Sequence, residues 1–321
     1  MTGGILARRP QLLVVVVLAL VAAFPFLSPP IYFVSLLFTM FMYIALSQSW
    51  NILGGYTGYI SFGHVAFFGL GAYTTALLAR TLGLSPFFFV PVGGLAAALF
   101  AAIVGYPSLR LRGPYFAVLT VLYATLIQTM IVNTQWLGGA TGVWVKPLPV
   151  DIGMNRTIFF EIMLAMALIA TLVSRWVGQS KFGHGLVAIR EDEEVAQAVG
   201  VNAPRLKLRA FVLSGGLAGV VGGVYAYYIS YLHPDISFNI QISLLVVLMA
   251  LFGGTRSWHG PIIGAVVLSI INELLTTFIG AEVARILYGL LFVALILFMP
   301  NGIYEYVKNK LPWQRQPRSQ T

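Results

Sequence analysis

Four acidic residues stand side by side at positions 191–194, in the stretch HGLVAIREDEEVAQAVG that covers residues 184–200. The whole chain of 321 residues has only ten Asp and Glu. Carboxylates can hold a metal, transfer a proton or pair with basic groups of another protein. A metal site or a proton-transfer site needs several polar side chains at one point. The chain has four scattered histidines and no cysteine, so the sequence shows no such cluster. The chain also lacks the Gly-x-x-x-x-Gly-Lys-[Ser/Thr] phosphate loop, so we do not expect ATP chemistry in it.

The segment around the four acids has the pattern of a short amphipathic helix. Arg190 precedes Glu193 and Glu194 by three and four residues, so these side chains are expected to pair on one helical face. Alternatively, Asp192 caps a shorter helix whose first turn holds both glutamates. Gly200 predicts a left-handed end of the helix. An acidic face opposite a face of Ala and Val suits a protein partner better than an anionic membrane surface. A plain surface helix that joins two spans is the alternative.

The composition places this polar segment in a membrane protein. Hydrophobic residues make up 59% of the chain and charged residues 9%, with a mean hydropathy of +0.87. Repeated apolar runs of about 20 residues can cross a bilayer core of roughly 30 Å. We therefore predict an all-α fold, a polytopic bundle of about 8–10 transmembrane helices. The runs lie near 11–27, 31–50, 60–79, 87–106, 114–133, 157–177, 209–230, 240–254, 261–280 and 284–303.

The distribution of basic residues predicts the orientation of this bundle. With ten spans and the N-terminus inside, the inner segments hold 15 Lys and Arg and the outer segments hold 4. Both termini are then cytoplasmic, and the net charge of +9 reflects inner loops rather than nucleic-acid binding. The apolar run near the N-terminus is interpreted as a retained first span. We expect one transmembrane domain over residues 1–321, with an inner loop at 178–208, an outer Gly/Pro-rich loop at 134–156 and a polar tail at 308–321.

A glycine-rich block at residues 54–72, GGYTGYISFGHVAFFGLGA, has six glycines in 19 residues. Such a density indicates either close helix packing or a broken helix that lines a solute path. His64 within it is a structural histidine or a path residue. Gly215, Gly219 and Gly223 recur every four residues and predict a packing seam.

Glu273 lies beside Asn272 in the middle of a predicted span. An acid at that depth needs a partner or water, so Glu273 belongs to a structural network or to a proton relay.

Several blocks together resemble one known family. Glu194-Val195-Ala196-x-x-x-Gly200 is similar to the "EAA…G" loop of ABC-importer permeases, and FGHGLVAIREDEEVAQAVGVN resembles the branched-chain amino-acid permease family of the LivM type. The blocks WNILGGYTGYISFGHVAFFGLGAYTTALL, LRGPYFAVLT, AFVLSGGLAGVVGGVYA and LFGGTRSWHGPIIGA follow in the order of that family. The chain departs from the general ABC loop by lacking its distal Ile-x-Leu-Pro.

The resemblance implies a permease subunit in a bacterial inner membrane, with no cofactor of its own. Partner ATPases would use ATP and Mg²⁺, and the other implied partners are a second related permease, an extracytoplasmic binding protein and membrane lipid. The implied ATPase-coupling residues are Arg190, Glu191, Asp192, Glu193, Glu194, Val195, Ala196, Val199 and Gly200. The expected path residues are Gly54, Gly55, Tyr56, Gly58, Ser61, Gly63, His64, Asn272 and Glu273.

The substrate and even the class of transport stay open at this point. Leucine, isoleucine and valine are the substrates that the resemblance implies, while relatives carry urea and short amides. An ion-coupled secondary transporter is the alternative from another class, because it would use an intramembrane carboxylate such as Glu273. A requirement for added ATPase subunits separates the two classes.

Overall fold

The computed structural model describes residues 9–27, 29–298 and 302–303. The predicted polar tail at 308–321 lies outside these residues. The described chain is almost entirely helical, as predicted. Its α-helices are α1 (Arg9–Ala23), α2 (Ile31–Thr57), α3 (His64–Leu82), α4 (Val90–Ser108), α5 (Pro114–Val132), α6 (Ile152–Gln179), α7 (Lys181–Glu191), α8 (Glu193–Ala198), α9 (Ala203–Ile229), α10 (Pro234–Ser237), α11 (Ile240–Gly253), α12 (His259–Phe278) and α13 (Ala281–Phe298).

Eight segments of the described chain are long and apolar enough to cross a membrane, which confirms a multi-pass bundle. They cover residues 31–57, 64–82, 86–108, 114–132, 152–179, 203–229, 234–253 and 259–278. The other two predicted spans fall on α1 and α13, which are not among the eight. Helix α1 has 15 residues, fewer than the roughly 20 that a span needs.

Helix α9 is the central element of the bundle and packs against α2, α3 and α4. Its glycines allow this close approach. A methyl group on Gly215 would lie 2.9 Å from the Cβ atom of Ala101 in α4, and one on Gly219 would meet the same helix at Ala97. The predicted stripe of small residues is therefore a packing seam, where backbones approach more closely than larger side chains permit.

A short two-stranded ladder joins the loop at 134–156 to the end of α9. Strand β1 (Val143–Trp144) pairs antiparallel with β2 (Tyr231–Leu232), which directly follows that helix. The rings of Trp144 and Tyr231 lie 4.4 Å apart between centroids, and Val145 N donates to Ser230 O at 2.8 Å. The loop predicted at 134–156 is thus tethered to α9, and it also has two short 3₁₀ turns.

Candidate functional site

The connection between α2 and α3 re-enters the bundle. Helix α2 ends at Gly58, whose φ of 76° is left-handed. The chain then runs back along α2, because Trp50 Nε1 donates to Ser61 O at 2.7 Å and His64 Nε2 lies 2.9 Å from Ser49 Oγ. Ser49 precedes the end of α2 by eight residues, or about 12 Å. Helix α3 therefore begins inside the bundle rather than at its surface.

A second helix break meets the first at the same level. Helix α11 ends at Gly253 and α12 begins at His259. Gln48 Nε2 of α2 donates to Trp258 O at 2.6 Å, one residue from the Ser49 contact of the first break. A methyl group on Gly55 would lie 2.8 Å from Thr255 O, so the second break packs against the last turn of α2, directly before the first break. Two helix N-termini, each with a partial positive charge, begin at this level.

We call these two connections, residues 58–63 and 254–258, the paired breaks. Polar side chains of α2 face them from a fully buried position. The hydroxyl of Ser47, the amide oxygen of Gln48, both amide atoms of Asn51 and Nδ1 of His64 have no hydrogen-bond partner in the described part of the chain. Buried polar atoms are nearly always paired with protein or with water. These groups can therefore bind water or a polar solute.

His64 combines features of both interpretations given above. Its Nε2 atom lies 2.9 Å from Ser49 Oγ and 3.2 Å from Ser214 Oγ, so one ring nitrogen joins α2, α3 and α9. The other nitrogen is the unpaired Nδ1. The histidine is thus a fixed part of the framework that still presents one polar atom at the breaks.

Of the predicted path residues in the glycine-rich block, Gly58, Ser61 and Gly63 lie in the first break and His64 follows it, whereas Gly54, Gly55 and Tyr56 belong to the end of α2. The hydroxyl of Tyr56 donates to Ser174 O of α6 at 3.0 Å, so this side chain faces a helix contact. Gly63 approaches α5, where a methyl group would lie 3.0 Å from the Thr120 Cβ atom. Gly54 packs against the indole of Trp50.

Asn272 and Glu273 are not brought to the paired breaks. Glu273 is 14 residues into α12, about 21 Å along the helix from its start. It accepts a hydrogen bond from Tyr32 at 2.7 Å, and Asn272 accepts one from Tyr288 at 2.7 Å. Glu273 is the fifteenth of the 20 residues of α12, so it lies closer to the C-terminal end of the helix than to the breaks. Glu273 thus contacts the start of α2, and Asn272 contacts α13.

The acidic segment forms two helices rather than one. Asp192 is extended, with φ −159° and ψ 112°, and its side chain accepts from Glu194 N at 2.9 Å and Val195 N at 3.0 Å. It therefore ends α7 and caps α8, as the alternative from the sequence predicted. The expectation that Arg190, Glu193 and Glu194 share one helix was wrong, because the break at Asp192 places Arg190 on α7 and both glutamates on α8.

Glu193 faces inward and forms the centre of a buried cluster with Tyr59 and Lys207. Lys207 Nζ donates to Glu193 Oε1 at 2.7 Å and to Tyr59 Oη at 2.8 Å, and Tyr59 Oη donates to Glu193 Oε2 at 2.7 Å. Burial acts to raise the pKa of Glu193, but the hydrogen bonds from Lys207 and Tyr59 outweigh it, so this pKa lies below its ordinary value. We call these three residues the Glu193 cluster.

The loop helices are attached to the first break and to the turn of α2 that precedes it. Tyr59 of the Glu193 cluster is itself a residue of that break. Arg190 of α7 donates from NH1 to Gly55 O at 2.7 Å, at the last turn of α2 where carbonyls lack helical partners. Helices α7 and α8 are therefore in direct contact with the connection that leads to His64 and with the end of α2.

The outer face of α8 is exposed. Val195 and Val199 are 59% and 76% exposed, whereas Ala196 is 3% exposed and packs against Ile189 and Ala203. The expectation that Ala196 joins the two valines on one contact face was wrong, because α8 is tilted so that Ala196 lies underneath. Gly200 has φ +93°, as its predicted left-handed end requires.

The other acids of the segment remain near the surface. Glu191 is exposed, and Glu194 pairs with Arg112 at 3.1 Å, both side chains being more than half exposed.

Several residues of both sites were missed from the sequence. Lys207, Tyr59 and Arg112 are distant from the acids along the chain, and only the fold brings them together. Asn51 and Gln48 had a visible signal, because the run SQSWN interrupts an otherwise apolar span. Within the residues that could be searched, no three His, Cys, Asp or Glu side chains converge in a way that could hold a metal.

The comparisons with known proteins converge on one family. The family model described as "Branched-chain amino acid transport system / permease component" matches residues 32–296. The chain is 28% identical to the high-affinity branched-chain amino acid transport system permease protein LivM of Escherichia coli, over 94% of this chain and 77% of that protein. It is 23% identical to LivH of Salmonella typhimurium, over 81% and 90% of the two chains. It is 25% identical to the probable LivH of Methanocaldococcus jannaschii, over 73% and 79%. No solved structure matches the chain.

Proposed function

Because this chain belongs to the family of branched-chain amino acid permease components, we propose that it is one of two related permease subunits of an ABC importer. It would lie in a bacterial inner membrane with both termini in the cytoplasm. The ATP and Mg²⁺ would be used by two partner ATPases, and an extracytoplasmic binding protein would deliver leucine, isoleucine or valine. The chain itself would catalyse no reaction.

One observation carries this proposal beyond the family likeness. The exposed helix α8 is joined through the Glu193 cluster and through Arg190 to the re-entrant connection before α3. A helix that presents two exposed valines needs a partner surface, and the attachment behind it leads to the polar interior. This is the arrangement that a transport subunit driven from outside the membrane requires.

The paired breaks supply groups suited to an α-amino acid. Two helix N-termini favour a carboxylate, and the amide oxygens of Gln48 and Asn51 can accept from an ammonium group. The surrounding bundle is apolar and suits a branched hydrocarbon side chain. The same amide groups also suit urea or a short amide, so substrate choice has to be measured.

The experiment is uptake into proteoliposomes that hold this chain together with its partner permease, two ATPases and binding protein. We expect uptake of labelled leucine to require internal ATP and to survive collapse of the proton gradient. Urea in excess should leave it unchanged. Uptake that needs no ATPase would overturn the proposal in favour of an ion-coupled carrier, and inhibition by urea would reassign the substrate.

The role of α8 is tested with Val199→Arg. Val199 is 76% exposed, so the variant should fold and insert normally while ATPase co-purification and leucine uptake both fall at least tenfold. Val150→Arg is the matched control, because Val150 is an exposed apolar residue of the other loop. The coupling role of α8 is excluded if Val199→Arg keeps full uptake or if Val150→Arg loses as much.

A further inference from the structure

A cavity of about 510 Å³ lies between the end of α6, the start of α7 and the first turns of α9. It is distinct from the paired breaks and from the Glu193 cluster. Its lining combines two cations with four apolar or aromatic side chains, which are Trp176, Lys181, Phe182, Leu206, Arg209 and Leu213. We call it the Trp176 pocket. A site of this composition attracts an anion that carries hydrocarbon.

The two cations of the Trp176 pocket are not neutralised by acids of the described chain. Lys181 and Arg209 form no ion pair or side-chain hydrogen bond within it. Of the loop glutamates, Glu193 pairs with Lys207 and Glu194 pairs with Arg112. Lys181 is also the first residue of α7, at the positive end of that helix. The lining of the pocket therefore carries two positive charges and no acid.

The pocket opens beside an exposed apolar face of a helix that is long enough to span a membrane. Ile169, Leu172 and Trp176 lie on one face of the spanning helix α6 and are 44%, 61% and 63% exposed. They form an apolar stripe that runs down the bundle and ends at the pocket. Tryptophan is enriched where hydrocarbon meets the polar headgroups. The pocket thus lies at headgroup depth, on the side of the bundle that carries α7 and α8.

We propose that the Trp176 pocket binds the headgroup of an anionic phospholipid. Lys181 and Arg209 hold the phosphate, and one acyl chain follows the stripe from Trp176 to Ile169. Basic pockets between membrane helices bind lipid headgroups in this way. A free phosphate ion would need the cations but not the stripe, and an acidic side chain of a partner protein would not need to lie at headgroup depth.

The Trp176 pocket also contacts the loop helix α7, so a bound headgroup would affect this helix as well as the spanning helices. Lys181 begins α7, and Arg209 lies two residues after Lys207 on α9. A bound headgroup therefore joins the base of α7 to the same helix that anchors Glu193. The occupied pocket stabilises the loop segment from the membrane side, whatever the transported solute is.

The test uses the full-length chain purified in detergent, with native mass spectrometry to count bound dioleoyl phosphatidylglycerol or dioleoyl phosphatidylcholine. We expect a preference for phosphatidylglycerol that falls about fivefold in Lys181→Gln and about fivefold in Arg209→Gln. Lys181→Arg and Arg209→Lys keep the charges and should retain the preference. Arg110→Gln is the matched control, since it removes one cation from the groove on the opposite face of α9.

Further arms identify the occupant. Inorganic phosphate at millimolar concentration should not displace phosphatidylglycerol, whereas equal competition would show a free-anion site and overturn the proposal. Unchanged lipid preference in both charge-removing variants would overturn it too, as would an equal loss in Arg110→Gln. Loss of partner-subunit co-purification with lipid preference intact would assign the pocket to a protein contact instead. Melting curves without added lipid identify any variant that fails to fold, and the charge-conserving variants then decide the result.

Discussion

Replacing Glu193 by Gln removes the negative charge from the ion pair with Lys207, which is almost completely buried. Lys207 has 4% of its side chain exposed and Glu193 has 13%. Breaking a buried pair by changing one partner costs about 3–5 kcal/mol, because the other charge stays buried without compensation. Glu193 keeps some contact with water, so we expect about 2–3 kcal/mol here. This free energy should be lost from the local stability of α8 and its attachment to α9.

Hydrogen exchange measures that local stability. The reporting amides are Ala196 N and Val199 N, which donate to Asp192 O and Val195 O. A loss of about 2–3 kcal/mol speeds their exchange by about 30- to 150-fold when exchange follows local opening. Peptides from the middle of α9 should be unaffected.

The neighbouring residue provides the control for this prediction. Glu194 and Arg112 are 79% and 59% exposed, so Glu194→Gln should cost less than about 1 kcal/mol and change exchange less than about fivefold. Glu193→Gln combined with Lys207→Met removes the stranded charge and should restore most of the protection. Equal effects of Glu193→Gln and Glu194→Gln, or a double variant no better than the single one, would refute the reasoning.

Four further outcomes are expected. The pKa of Glu193 is lowered in the folded chain. Its contribution to stability is therefore present above the ordinary carboxyl pKa and is lost as the pH falls through the pKa of the folded state. We expect hydrogen exchange of α8 to accelerate only in acid. Gly200→Val should destabilise the end of α8 by about 1–3 kcal/mol, while Gly200→Asn, which tolerates a left-handed conformation, should cost less in the same exchange measurement. Since the chain has no cysteine, a single Cys at Gln197 should react only with maleimide from the cytoplasmic side and one at Ile152 only from outside; the reverse labelling would contradict the proposed orientation. Glu273→Gln should leave uptake nearly unchanged and lower thermal stability slightly, because the residue contacts Tyr32 rather than the breaks; a selective loss of uptake at normal protein level would contradict this.

The helical architecture could be predicted from the sequence, because the length of an apolar run decides whether it can span the bilayer core. The cap at Asp192 and the left-handed Gly200 were also accessible, since both follow from local backbone chemistry. Local spacing was not sufficient to predict which residues of the acidic segment are exposed. The predicted pattern assumed one continuous helix, so it placed Ala196 on an outer face, whereas the structure buries this residue.

The re-entrant geometry could not be derived from composition. Glycine density at residues 54–72 indicated either packing or a break, and only the contact between Trp50 and Ser61 shows how deep the connection turns back. The partners of Glu193 were equally inaccessible, because Tyr59 is 134 residues away in sequence.

Helix α9 has its two ends fastened on opposite sides of the bundle, at Lys207 and at the strand pair beside Ser230. Its 27 residues make a rod about 40 Å long. A tilt of about five degrees about the middle of such a rod displaces each end by nearly 2 Å, in opposite directions. Such a tilt would move the loop at 134–156 and α8 in opposite directions, because they are attached to opposite ends of α9. We expect a protein that binds at one end of α9 to shift the surface at the other end.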